Sequence, residues 1–173
     1  MRTVFFPFLS LVATVVFSAA SVVSAASIPN LEFPIKNGVN RDDIYKMAEH
    51  KNSVFVFEAF ADFCGGCHEN APNVDEFALE FASNPQVQIL DLGLDQVDSA
   101  YESWIARHHP NHPVIQDSAR KVFNALRTDN LIPQVFVVNC NGVMVGNHIG
   151  EWDASVKAKL RGFIRTALET TCN

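Results

Sequence analysis

No Asn-x-Ser/Thr triplet occurs in the 173 residues, so the chain offers no acceptor for N-linked glycans, which speaks against a eukaryotic secretory route. Basic residues are scarce: 13 Lys and Arg stand against 19 Asp and Glu, a net charge of −6. That deficit argues against a nucleic-acid or anionic-membrane partner. Repeats, low-complexity tracts and internal linkers are missing, so one ordinary domain is expected. No cysteine closely follows the apolar N-terminal run, which argues against a lipoprotein anchor.

What the chain does have begins at its N-terminus. Arg2 precedes an apolar run from Val4 to Phe17, and small residues follow through Ala26. A basic start, an apolar middle and a small-residue end form the pattern of a secretory signal peptide, here residues 1–26. The competing reading is an uncleaved anchor, because the uncharged run from Thr3 to Asn30 is long enough to span a bilayer. Residues 27–173 then form the folded domain, large enough to bury its own core. An exported location, in a bacterial periplasm or secreted, follows from either signal-peptide site, Val23-Ser24-Ala25 or Ser24-Ala25-Ala26.

Val54-Phe55-Val56-Phe57-Glu58-Ala59-Phe60 is apolar, β-branched and aromatic with no helical spacing. It predicts a strand buried on both faces. From Asn70 to Ala82, Val74, Phe77, Ala78 and Phe81 recur at intervals of three and four, which predicts one face of a helix. Further on, Asn40 predicts a cap for a helix through His50 and Val87–Leu92 a strand. Ser99 with Glu102 predicts a capping box for a helix through Arg107. Pro113–Gln116 reads as a short strand, and Asp117 as the cap of a helix to about Leu126. Strands over Gln134–Asn139 and Val143–Ile149 flank Asn141-Gly142, a two-residue hairpin signal. Asp153 caps a last helix, apolar at Val156, Leu160, Phe163, Ile164 and Leu168. The alternation predicts an α/β fold with a central mixed sheet flanked by helices.

Between the first strand and its helix lies Phe63-Cys64-Gly65-Gly66-Cys67-His68. Read with the histidine this is C-x-x-C-H, the attachment sequence of c-type haem. Read without it, this is a redox dithiol. At a helix N-terminus the unpaired N–H groups favour a thiolate. Cys64 is therefore the expected nucleophile, and Cys67, one turn on, the expected resolving thiol. Glu58, a carboxylate in an apolar strand, is expected to be pushed towards neutrality and to accept the Cys67 proton. The alternative is a Glu58 at a strand end in contact with solvent. His68 reads either as a solvent-facing helix residue or as a charge that tunes the dithiol.

Cys140 ends one hairpin strand and Cys172 follows the last helix. Six strand residues span about 20 Å and a fourteen-residue helix about 21 Å. The chain therefore returns close to Cys140, and a structural Cys140–Cys172 disulfide is expected, with two unpaired thiols as the alternative.

The chain resembles thioredoxin-fold proteins. Cys64-Gly65-Gly66-Cys67 follows a buried strand, and Pro72 falls five residues after the second cysteine. Glu58 precedes Cys64 by six, Ile132-Pro133 stands before the hairpin, and Gly150 follows the last strand. The resemblance implies a cis Pro133, with Ile132 and Pro133 presenting an extended substrate, and Phe63 and Gly150 shaping the rim. Phe63 stands where thioredoxins usually carry Trp. The longer segment between Cys67 and Pro133 implies an extra strand–helix insertion, similar to exported reductases of the cytochrome-c-maturation type. In function, the resemblance implies a thiol–disulfide oxidoreductase without a cofactor, expected as a monomer, acting on protein thiols and disulfides. Reduction is favoured over oxidation, and the same likeness implies a membrane-bound thiol electron donor.

Two rivals remain. One is a haem electron-transfer protein with Met144 as axial ligand. The other is a copper-binding or other metal-binding chaperone using His108, His109 and His112 with the cysteine pair. Tyr101 and Trp104 read as core or lid residues.

Overall fold

The computed structural model describes residues 27–28, 30–38 and 43–172; residues 1–26 lie outside it. The strand expected over residues 54–60 forms as β3 (Val54–Phe60), with all seven residues buried. It is central because it pairs on both sides, parallel to β4 (Val87–Gly93) and antiparallel to β6 (Gln134–Val138). β5 (Val114–Gln116) extends the sheet beyond β4, and β7 (Met144–Ile149) extends it beyond β6. The five-stranded order is β5-β4-β3-β6-β7, mixed in direction.

Side chains alternate across a strand, so β3 feeds two cores. Val54 and Val56 meet Val74 and Phe77 of α1 (Gly65–Phe81) and Leu160 and Ile164 of α4 (Ala154–Leu168). Phe55, Phe57 and Ala59 face the other way, onto Phe123 of α3 (Lys121–Leu126) and onto Phe33 and Tyr45. The latter two come from a small hairpin of β1 (Glu32–Pro34) and β2 (Ile44–Lys46). Phe60 and the two cysteines of the motif share a third cluster with Tyr101 and Trp104 of α2 (Asp98–His108). Both aromatic residues are core.

Several expectations are corrected. The helix expected from Asn40 to His50 is absent over the described part: residues 44–46 are β2 and Met47–Glu49 a single 3-10 turn. Asn40 itself lies outside the described residues. Pairing with β1, invisible in local sequence, outweighs helical propensity here. The Ser99–Glu102 capping box does not form. α2 starts two residues earlier, with Val97 rather than Ser99 at the cap and no side-chain cap bond, and Asp98 pairs with Lys36 at 2.7 Å. α1 starts at Gly65, as expected with Cys64 at the helix N-terminus. The hairpin loop has three residues, since Asn139 N–H donates to the Val143 carbonyl and Gly142 takes φ +74°. Asp117 does cap α3: its carboxylate accepts the N–H groups of Lys121, Val122 and Phe123 at 2.7–3.1 Å. Asp153 likewise accepts from Val156 N–H.

The segment before β1 straps the sheet. Ser27 bridges Val143, and Ile28 N–H donates to the Gly142 carbonyl at 2.8 Å. At the opposite edge Ile35 bridges Ile115 of β5. Among the described residues no helix is long and apolar enough to cross a membrane.

Candidate redox site

Cys64 sits at the junction that the β3–α1 succession creates. It is the N-cap of α1, in extended conformation, and its sulfur accepts the Cys67 N–H at 3.1 Å. A helix N-terminus aimed at a sulfur favours negative charge there. Cys64 and Cys67 are bonded to each other, with Cα atoms 5.2 Å apart. Cys64 is 9% exposed and Cys67 2%, so only the first offers a surface to a partner. Gly65 and Gly66 separate them. A Cβ on Gly66 would touch Pro133 at 3.5 Å, which places the proline ring over the turn.

Ile132 and Pro133 lie against the dithiol. The Ile132 carbonyl oxygen is 3.7 Å from Cys64 Sγ, and the Ile132–Pro133 peptide is cis. Gly150 reaches the site through Pro133, whose carbonyl accepts its N–H at 2.9 Å, and its φ of +102° is one that glycine adopts without strain. Phe63 is 80% exposed. It borders an open groove of about 460 Å³ beside Cys64, walled also by Leu94, Arg120, Phe123 and Leu131.

Glu58 projects from β3 to the α1 side of the sheet and is 3% exposed. The solvent-exposed alternative is thereby set aside. Asn70, one turn beyond Cys67 on α1, donates Nδ2–H to Glu58 Oε1 at 2.6 Å and accepts the Trp152 N–H at 2.9 Å. Among the described residues Glu58 Oε2 has no hydrogen-bond partner. Burial pushes the Glu58 carboxyl well above the usual range; the Asn70 bond opposes this, Asp91 adds to it, and His112 opposes it.

His68 does not face solvent freely. Its Nδ1 lies 2.7 Å from His108 Nε2 and its Nε2 2.7 Å from the Asp62 carbonyl, and its ring stacks on His108 and tilts against Trp104. This contact ties the first turn of α1 to the end of α2. Burial, His68 and Arg107 all lower the affinity of His108 for a second proton.

The two rivals lose their geometry. Met144 pairs with Val138, and Val138 lies beside Phe55 at the far end of β3. Five residues of strand separate Phe55 from Phe60, about 17 Å, so Met144 cannot ligate a haem held by Cys64 and Cys67. The three histidines diverge: His108 contacts His68, His109 is exposed, and His112 is buried between Asp75 and Asp91. Among the described residues no group of three or more His, Cys, Asp or Glu could hold a metal ion. The second cysteine pair, Cys140 and Cys172, is bonded at the opposite end of the sheet, with Cα atoms 5.6 Å apart.

Sequence reasoning missed Asn70, Asp91 and Asp75, and it read His112 as a metal ligand where the structure sets it between two carboxyl groups. Asp91 carried the same signal as Glu58, a carboxylate inside an apolar strand. Asn70 carried its spacing, three residues after Cys67. The partners of His112 lie on separate elements and left no local trace.

The AhpC/TSA family model matches residues 25–146. No curated protein matches the chain. Among solved structures, the chain is similar to a thioredoxin family thiol:disulfide interchange protein from Chlorobium tepidum TLS. That match has 16% identity and a TM-score of 0.67 over 86% of this chain and 99% of that one. It is also similar to a thiol-disulfide oxidoreductase from Bacteroides fragilis NCTC 9343 (17% identity, TM-score 0.62, 80% and 98% covered). StoA from Bacillus subtilis matches at 17% identity and a TM-score of 0.60, with 78% and 97% covered. At such identities the likeness is one of fold, and it agrees with the five-stranded mixed sheet flanked by helices. With the family model matching well over half of its length, the chain belongs to the AhpC/TSA family and has a thioredoxin-like fold.

Proposed function

We propose that this protein is an exported oxidoreductase that reduces protein disulfides with the Cys64–Cys67 dithiol. In the reduced protein the Cys64 thiolate attacks a substrate disulfide, and the released substrate sulfur takes up a proton. Cys67 then gives its proton to Glu58 and attacks the Cys64 sulfur. The second substrate thiol leaves, and two electrons have passed from the enzyme to the substrate. The resulting Cys64–Cys67 disulfide needs a thiol donor to restore it. The resemblance to exported reductases of the cytochrome-c-maturation type implies a membrane-bound thiol relay in that role.

The observation that carries this reading is the joint placement of three groups. The Cys67 N–H lies on Cys64 Sγ at 3.1 Å, the Ile132 carbonyl stands 3.7 Å from the same sulfur, and Glu58 is buried on the Asn70 side of Cys67. Ile132 and Pro133 present the substrate backbone, and Phe63 and Gly150 shape the rim around it. The Cys140–Cys172 bond is assigned a structural role, since it lies at the other end of the sheet.

Equilibration of the Cys64–Cys67 pair in glutathione buffers tests the direction. The expected potential lies near about −270 mV, and a value near about −120 mV would make the protein an oxidant instead. Export through a cleaved leader is tested by intact mass: the expected mature chain begins at Ala26 or Ser27. A chain retaining Arg2 identifies an anchor.

A further inference from the structure

Glu58 is not the only carboxylate inside the sheet. Asp91 of β4 is its Cα partner in the parallel β3–β4 pair and is 2% exposed. Two carboxyls side by side in a buried sheet repel one another unless something holds one of them. Two groups hold Asp91. Trp104 donates Nε1–H to Oδ2 at 3.0 Å, and His112 Nε2 lies 3.1 Å from Oδ1. The other ring nitrogen of His112, Nδ1, lies 3.2 Å from Asp75 Oδ1. Asp75 also accepts the Asn111 N–H at 3.1 Å, and Asn37 donates to the His112 carbonyl at 2.8 Å. The loop carrying the imidazole is therefore fixed from two sides.

His112 is 7% exposed. Burial disfavours its charged form, but Asp91 and Asp75 outweigh burial and lift its pKa to about 10. The His112 ring thus sits between two carboxyl groups, in a cluster reaching from beside Glu58 to the partly exposed Asp75. On the other sides of Glu58, α1 supplies Asn70 and β6 the apolar Val135. His108, at the end of α2, lies close enough to Asp91 and Asp75 to feel both charges.

We propose that Asp91, with His112 as its buried counter-ion, is a positioning residue that sets when Glu58 can take the Cys67 proton. The proposal rests on the reading of Glu58 as proton acceptor. Asp91 touches neither sulfur nor substrate and works through the field it places on its strand neighbour. His112 confines that field by pairing Asp91 on its far side.

The test is a carbon-13 carboxyl NMR titration of Glu58 in the reduced, intact protein. Asp91→Asn keeps an acceptor for Trp104 but removes the charge. In that variant the Glu58 midpoint falls. At a pH below the wild-type midpoint the ionised-to-protonated ratio rises about tenfold or more, a conservative figure for unit charges some 5–7 Å apart at an effective dielectric of about 20. The acid limb of the Cys67 resolution rate moves down with it. A folded Asp91→Asn protein with an unmoved Glu58 midpoint overturns the proposal. Should that variant not fold, the wild-type protein decides: nitrogen-15 spectra must show His112 doubly protonated from pH 6 to pH 8, and a neutral ring at pH 7 overturns the counter-ion. Glu58→Gln separates the two readings. If it keeps the wild-type pH–rate profile while Asp91→Asn still shifts Glu58, the coupling stands and the proton-acceptor role falls.

Discussion

Cys64→Ser abolishes disulfide exchange, by a factor of about 10³ or more, as expected when a nucleophile is removed. Cys67→Ser instead leaves the protein covalently joined to its substrates. The asymmetry follows from position. Cys64 borders the open groove, whereas Cys67 is 2% exposed beneath it. A substrate sulfur can reach only the first, and without the second nothing displaces it. Serine is a preferred N-cap residue, and its hydroxyl can accept the Cys67 N–H that Cys64 Sγ accepts now. The loss in Cys64→Ser is therefore chemical and leaves α1 capped. Non-reducing electrophoresis of both variants after incubation with a disulfide-bonded protein reads the result. Equal trapping by Cys64→Ser would exchange the two roles.

Replacing Cys140 and Cys172 by serine lowers stability by about 3–4 kcal/mol, the chain-entropy value for the 32-residue separation the bond closes. For a chain of this size that corresponds to a melting temperature lower by about 10 °C. The loop spans β7 and α4, so the bond joins the edge hairpin to the end of the last helix, where Asn141 Nδ2 also donates to the Thr171 carbonyl at 2.8 Å. Exchange activity at 25 °C is unchanged, because Cys140 lies at the other end of β6 from Ile132. Calorimetry with an activity assay on one sample checks both halves. An unchanged melting temperature refutes the structural role.

Legibility in the sequence followed the range of the interactions. β3 announced itself, since a seven-residue run of six apolar or aromatic residues broken only by Glu58 has few places to go but a central strand. α1 and α4 showed their faces through Val74, Phe77, Leu160 and Ile164. Asp117 and Asp153 were readable as caps because capping is local. What stayed hidden was set by distant partners. Residues 44–46 became a strand because β1 lies alongside, and the Ser99 box failed because α2 begins at Asp98, which pairs with Lys36, 62 residues away. In the site, Cys64, Cys67 and Glu58 stood out through composition. The His112 cluster joins α1, β4 and the loop before β5, and no window of sequence contains all three.

The strap formed by the first described residues fixes a polarity. Ser27 meets the sheet beside Val143, at the turn end of β6 and β7. The reactive sulfurs lie off the opposite end, near Ile132. The five residues of β6 between these poles span roughly 17 Å. A protein moored through its N-terminus would thus be held by its base. Cys64 would point outward, away from the mooring surface and towards whatever diffuses past.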